Sequence, residues 1–256
     1  MGKQVWRVAG TSVTGPRHAD AGEPGQDRHR LVVTPGGVLI AVVSDGAGSA
    51  RFAGEGATAL CEHVAAALEK AFGKAKPKPG RALLLRTCRA VCAGIEAARI
   101  ALEPEGWGLA LRDYLATLVG AVMIPGKGGL FFHIGDGAAL AVAGDGRWQL
   151  SPPHNGEYSY ETYFFTDPDW RSNLRFKLVE PGYDTLFVMT DGVTDMGFKH
   201  NGAGPEPHMP FFEPIGRFLA GTGRAEGEQA LQGTLDSEAA RERSNDDKTL
   251  VWARPQ

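Results

Sequence analysis

Cysteine is scarce: Cys61, Cys88 and Cys92 are the only three in 256 residues. An odd count, in a chain whose opening shows no export signal, argues against a disulfide framework. Cys88 and Cys92 stand four apart in a helical pattern with no second Cys/His pair at zinc-site spacing, so these thiols read as buried side chains rather than ligands. Strong charge of either sign is also missing. A net charge of −3 and a pI near 6.2 give no general drive toward nucleic acid or an anionic membrane. Long apolar runs are absent as well: Met1-Gly2-Lys3-Gln4-Val5-Trp6 has no signal-peptide core, and no later stretch approaches the length of a membrane span. A soluble, cytoplasmic protein is the expectation. Trp6 stands where a myristoylation motif would need Ser or Thr. No repeat, linker or low-complexity tract divides the chain, and 43% hydrophobic content suffices for a packed core, so residues 1–256 read as one domain.

What the sequence does contain is a repeated unit in which an apolar strand ends in Asp-Gly. Gly37 to Val43 is aliphatic without polar alternation, as in a strand buried on both faces, and it leads into Ser44-Asp45-Gly46-Ala47-Gly48. Leu130 to Gly135 ends in Asp136-Gly137, and Thr185 to Thr190 ends in Asp191-Gly192. Any single Asp-Gly reads as a turn. Three such units in one domain suggest carboxylates converging on a metal, because a carboxylate at the end of a core strand needs a cation or donors to offset its desolvation.

In chain order, Gln4 to Ser12 reads as a strand and Gly15 to Asp27 as a loop rich in Gly, Pro and charge. Arg28 to Thr34 and Gly37 to Ser44 form a hairpin that brings Gln26-Asp27 and Asp45 to one end. Helical periodicity follows from Ser49 to Phe72 and from Arg81 to Leu102, separated by a lysine- and proline-rich breaker at 74–80 that reads as a solvated loop. After a loop at 104–108, strands are expected at Tyr114 to Ile124, Leu130 to Gly135, Ala138 to Ala143 and Arg147 to Leu150, with His133 as a core histidine. Residues 151–169 read as a functional loop or flap, or as a packed surface loop of the same composition. Strands at Asn173 to Val179 and Thr185 to Thr190, a loop at 200–210, helices at 211–220 and 226–243, and a strand after Asn245-Asp246-Asp247-Lys248-Thr249 complete the chain. This order points to an α+β layered domain.

In sequence order, Val43-Ser44-Asp45-Gly46-Ala47-Gly48, Ala116-Thr117-Leu118-Val119-Gly120-Ala121, Ile134-Gly135-Asp136-Gly137, Met189-Thr190-Asp191-Gly192-Val193 and Asn245-Asp246-Asp247-Lys248-Thr249 resemble the motifs of the metal-dependent type 2C serine/threonine protein phosphatases. The resemblance spans nearly the whole chain. The stretch Asn155 to Thr162 is similar to a bacterial branch of that family. The resemblance implies a four-layer α-β-β-α sandwich of two antiparallel sheets flanked by helix pairs. It implies hydrolysis of phosphoserine and phosphothreonine by a water bridging two Mn²⁺ or Mg²⁺ ions, with no protein nucleophile. It further implies that Asp45 bridges the two ions, that Gly46 offers a backbone carbonyl, that Asp191 and Asp246 complete the second ion's ligands, and that Asp136 helps hold a third. Asp27 would orient metal-bound water. The implied partner is a phosphorylated protein, paired with a serine/threonine kinase.

The departures from the family pattern mark what is particular to this chain. Gln26-Asp27 takes the neutral form of an acidic pair, and Gly22 stands where many relatives carry a phosphate-binding Arg. His18, or Arg17 beside it, is the expected replacement, since a dianion needs a basic partner. Ala47 stands where some relatives have a His that acts as leaving-group acid, which leaves His18 or metal-bound water for that role. Two other readings use the same residues: a pseudophosphatase or regulatory binding module, and a hydrolase of small phosphate esters.

Overall fold

The computed structural model describes residues 6–73, 79–103, 110–155, 162–202 and 204–256. Gln4 and Val5 of the first strand, most of the lysine-rich breaker, the loop at 104–108 and the 156–161 part of the expected flap lie outside them.

The strands form two five-stranded antiparallel sheets. One contains β2 (Arg28–Val33), β3 (Leu39–Ser44), β4 (Leu118–Ile124), β5 (Gly128–Ile134) and β8 (Arg175–Val179), in that spatial order. The other has the order β1 (Trp6–Val13), β12 (Lys248–Pro255), β9 (Tyr183–Met189), β6 (Ala138–Ala143) and β7 (Trp148–Ser151). Helices α2 (Ala53–Phe72) and α3 (Arg81–Ala101) cover the first sheet, and α6 (Met209–Gly221) and α7 (Arg224–Leu235) cover the second. The result is the expected α-β-β-α sandwich.

Strand β3 shows why its sequence lacks polar alternation. Ile40 and Val42 pack toward α2 and α3, while Leu39, Ala41 and Val43 pack against Val188 and Val251 of the opposite sheet. Both faces are buried, so both must be apolar. The two sheets are also tied at their edges. Lys177 Nζ donates to the Leu150 carbonyl at 2.7 Å and Arg175 to the Pro152 carbonyl at 3.0 Å, while Trp6 Nε1 donates to the Gly37 carbonyl at 3.0 Å. His133 is fully buried on the inter-sheet side, 3.0 Å from Ser151 Oγ, and burial pushes its pKa well down, so it is a neutral core residue.

Several boundaries differ from the sequence expectation. The loop expected at 15–27 contains a short helix, α1 (Pro16–Ala21), with Pro16 at its first position and Gly22 left-handed at its end. The strand expected from Tyr114 begins at Leu118, after a 3₁₀ turn at Leu111–Tyr114. A short helix, α4 (Trp170–Asn173), precedes β8, and residues after Asp191 form α5 (Asp191–Gly197) instead of a bare turn. The expected loop at 200–210 includes a hairpin, β10 (Phe198–Asn201) with β11 (Gly204–Pro207). The helix expected at 226–243 divides into α7 and α8 (Glu238–Arg243), because the Ser237 side chain accepts the Ala240 N–H and starts a new helix.

The packing of α2 on α3 depends on Gly94. A Cβ there would lie 2.6 Å from Val64 Cα and 3.0 Å from the His63 carbonyl oxygen. Alanine in a helix interior gains about 1 kcal/mol over glycine, whereas overpacking costs about 1–3 kcal/mol. The clash is against backbone, so the second effect wins. Gly94→Ala is expected to lower the thermal midpoint by a few degrees, measured by circular dichroism, and an unchanged or raised midpoint would contradict this packing.

Candidate active site

Strand direction brings the carboxylates together. β3 and β5 are separated by one antiparallel strand, so both end on the same rim of their sheet, where β2 begins. This places Asp45, Asp136 and Asp27 side by side. In the second sheet β9 ends where its antiparallel neighbour β12 begins, which sets Asp191 beside Asp246 and Asp247. Packing the sheets face to face closes the two rims on each other.

Ligand oxygens of Asp45, Asp136 and Asp191 lie within 4.8 Å of one another, each residue partly open to solvent. Asp246 is not in that closest group, but its charge acts on all three. Its Oδ1 accepts the Asp247 N–H at 3.0 Å. Gly46 is buried against Ala53 and bridges to Ala116. Asp27 is almost fully buried; its Oδ2 accepts the Thr190 hydroxyl at 2.8 Å, and among the described residues no donor reaches its Oδ1.

Threonines brace this cluster, and single-residue reading of the sequence did not find them. Thr117 Oγ1 accepts the Asp45 N–H at 3.1 Å, Thr162 Oγ1 donates to Asp136 Oδ2 at 2.6 Å, and Thr190 Oγ1 also accepts the Thr249 N–H at 2.9 Å. Thr117, Thr190 and Thr249 stand inside the family motifs, and Thr162 closes the Asn155–Thr162 stretch.

The two basic candidates separate. Arg17 is exposed, and its guanidinium lies on the turn after Asp45: a Cβ added to Gly48 would stand 2.6 Å from an Arg17 nitrogen. His18 is 4% exposed, and its Nδ1 faces Asp247 Oδ2 at 3.0 Å. The structure therefore brings Arg17 to the rim and turns the His18 Nδ1 edge away from it. Asp247, not singled out from the sequence, is nearly fully buried.

The electrostatics are those of a cation site. Burial raises Asp45 and Asp191 well above the ordinary carboxylate range, reinforced by Asp27 and Asp191 around the first and by Asp136 and Asp246 around the second. Asp136 is raised by burial despite its bond from Thr162, and Asp27 is pushed up to about 7 by burial. One oxygen each of Asp27, Asp136 and Asp191 is buried with no donor among the described residues. Unpaired buried carboxylate oxygens are costly, and an all-oxygen set with this charge fits hard divalent cations.

These features define a class: α-β-β-α sandwich proteins with an acidic cluster suited to divalent cations where the two sheets meet. Residues 14–236 match the family model of protein phosphatase 2C. Serine/threonine-protein phosphatase 3 of Escherichia coli (strain K12) is 32% identical over 259 residues, covering 97% of this chain and 98% of that protein. The structure is similar to the serine/threonine phosphatase Stp1 of Staphylococcus aureus, with a TM-score of 0.62 and 16% identity over 100% of this chain and 98% of that one. It is likewise similar to the serine-threonine phosphatase 2C of Toxoplasma gondii, with a TM-score of 0.63 and 17% identity over 100% and 96%. The chain belongs to the protein phosphatase 2C family.

A stability prediction follows from the raised carboxyls. An acid whose folded pKa exceeds its ordinary value, here from 3.8 to about 7 at Asp27, leaves the folded state unpenalised below about pH 4 and penalises it progressively as pH rises toward about 7. Metal-free protein is expected to lose thermal stability across that window, and added Mn²⁺ to restore it. The gap between loaded and metal-free midpoints should widen as pH rises; a constant gap would contradict the assigned repulsion.

Proposed function

We propose that this protein is a metal-dependent phosphatase that removes phosphate from phosphoserine and phosphothreonine in proteins, acting in the cytoplasm opposite a serine/threonine kinase. The observation that carries this reading is the convergence of Asp45, Asp136 and Asp191 oxygens within 4.8 Å, in a chain of this family. Asp45, Asp191, Asp246, Asp136 and the Gly46 carbonyl would hold Mn²⁺ or Mg²⁺. When bound, such ions supply Lewis-acid activation of water and neutralise charge on the phosphoryl group.

The chain's own residues supply the rest. Asp27, which lies against Asp45, would orient a metal-bound water in this reading, while Thr190 fixes one of its oxygens. In the metal-free protein burial pushes Asp27 up to about 7, and a divalent cation bound beside it would favour the ionised, accepting form. Arg17 offers the guanidinium for the phosphate dianion, a role for which its fork of N–H donors is suited. His18 supports it from behind through Asp247. The thiols stay out of the chemistry: burial raises Cys61 beyond the range in which a thiolate forms.

The reading is tested with p-nitrophenyl phosphate and a phosphoserine or phosphothreonine peptide, in chelator and with Mn²⁺ or Mg²⁺. Asp45→Asn and Asp191→Asn are each expected to lower metal-dependent kcat by at least about 100-fold in folded protein. Wild-type turnover in both variants at saturating Mn²⁺ would remove the mechanism. Arg17→Ala is expected to raise KM for p-nitrophenyl phosphate about tenfold with a smaller change in kcat, the size of one charge-assisted contact.

A further inference from the structure

One buried carboxylate enters the reading above only as the partner of His18. Asp247 is 1% exposed. Its Oδ1 accepts the Gly15 N–H at 2.7 Å; its Oδ2 accepts the Gln26 N–H at 2.5 Å and lies 3.0 Å from His18 Nδ1. Gly15 and Gln26 are the two ends of the segment that carries α1, so a single side chain closes that segment into a strap and also grips its helix. The seat beneath is close-fitting. A Cβ on Gly15 would come within 2.3 Å of the Asp246 carbonyl, and the Arg17 N–H donates to the Asn245 carbonyl at 3.1 Å. From this seat Arg17 reaches the Asp45–Gly48 turn.

We propose that Asp247 is a positioning residue for phosphate binding: by holding Gly15, His18 and Gln26 together it fixes the strap so that Arg17 stands preformed over the turn that follows Asp45. The proposal rests on the reading of Arg17 as the phosphate contact. A helix of six residues cannot hold itself in water, so the order of α1 must come from tertiary contacts, and those of Asp247 include both ends of the strap. Arginine is rich in rotamers, and a guanidinium ordered before the ligand arrives spares the ligand that ordering. The charge of Asp247 is matched by N–H donors on the strap, and charge-assisted bonds of this kind are the stronger sort. Asparagine keeps the size of the side chain but has one acceptor oxygen, and its amide nitrogen would face an N–H donor. Asp246 and Asp247 thus divide two tasks between adjacent residues, one facing the cation cluster and the other tying down the phosphate arm.

The test compares wild type, Arg17→Ala, Asp247→Asn and the double variant in p-nitrophenyl phosphate hydrolysis at saturating Mn²⁺, with inorganic phosphate as inhibitor. Asp247→Asn is expected to raise KM and the phosphate inhibition constant together by about five- to tenfold, with kcat held within about twofold. The double variant should have no higher KM than Arg17→Ala alone, since both changes remove one interaction. Multiplying effects on KM would overturn the proposal and leave the Arg17 reading standing, whereas an unchanged KM in Arg17→Ala would overturn both. Hydrogen exchange on the metal-free proteins reads the strap without turnover: the Gly15 and Gln26 amides should lose protection in Asp247→Asn, and retained protection would overturn the proposal. Should Asp247→Asn fail to fold, His18→Gln removes one contact to Asp247 and is expected to show the same rise in KM and loss of protection at smaller size. Wild-type behaviour on both counts would overturn the proposal equally.

Discussion

Repulsion among desolvated carboxylates is the constraint around which this molecule is arranged. Asp27, Asp45, Asp136 and Asp191 each sit where burial and neighbouring charge disfavour ionisation. No packing of apolar side chains offsets such a cluster; a cation or a proton must. The sandwich can carry this strain because the carboxylates stand at the ends of strands whose interiors are fully buried. Leu39 to Val43 of β3 and Leu186 to Val188 of β9 hold the rims in place from two apolar layers. Stability is concentrated in the strands, and the electrostatic penalty at their ends is available for binding.

Hydrogen bonds to backbone and threonine set the aim of the carboxylates. Asp45 and Thr117 exchange a pair of bonds, since the Asp45 N–H donates to Thr117 Oγ1 and the Thr117 N–H to the Asp45 carbonyl. Thr190 joins the sheets' two rims by donating to Asp27 while receiving from Thr249. Neutral donors and acceptors can brace a carboxylate without neutralising it, which leaves its charge for a ligand. The basic side of the site is built differently. Arg17 comes from a short helix on a strap whose ends bond to Asp247, and its own N–H donates to the Asn245 carbonyl.

The legibility of these parts from sequence varies with how local their physics is. The sheet strands and the two long helices could be read because apolar periodicity reports burial directly, as in β3 and α2. The Asp-Gly strand ends could be read because a carboxylate after an apolar run is chemically conspicuous. The short helices α1, α4 and α5 and the hairpin β10–β11 could not, because elements of one or two turns take their stability from what they dock on. Pro16 and Gly22 flank α1 as start and stop signals, yet the residues between them have no apolar face to announce a helix. The split between α7 and α8 turned on one serine side chain, Ser237.

The sequence alone determined the acidic, oxygen-only character of the site, the order of its motifs and the layered α+β plan, since each follows from residue type and periodicity. Only the tertiary structure decided which basic residue reaches the rim. Arg17 and His18 are adjacent in the chain, and successive residues of a helix point about 100° apart, so the docking of α1 on Asn245 to Asp247 sends the first to the Asp45–Gly48 turn and buries the second. The same holds for Asp246 and Asp247, alike in chemistry and given different surroundings by the strand end they share: the charge of the first acts on the carboxylate cluster, and the second bonds Gly15 and Gln26. Direction in space, unlike charge, is a property of the packed chain.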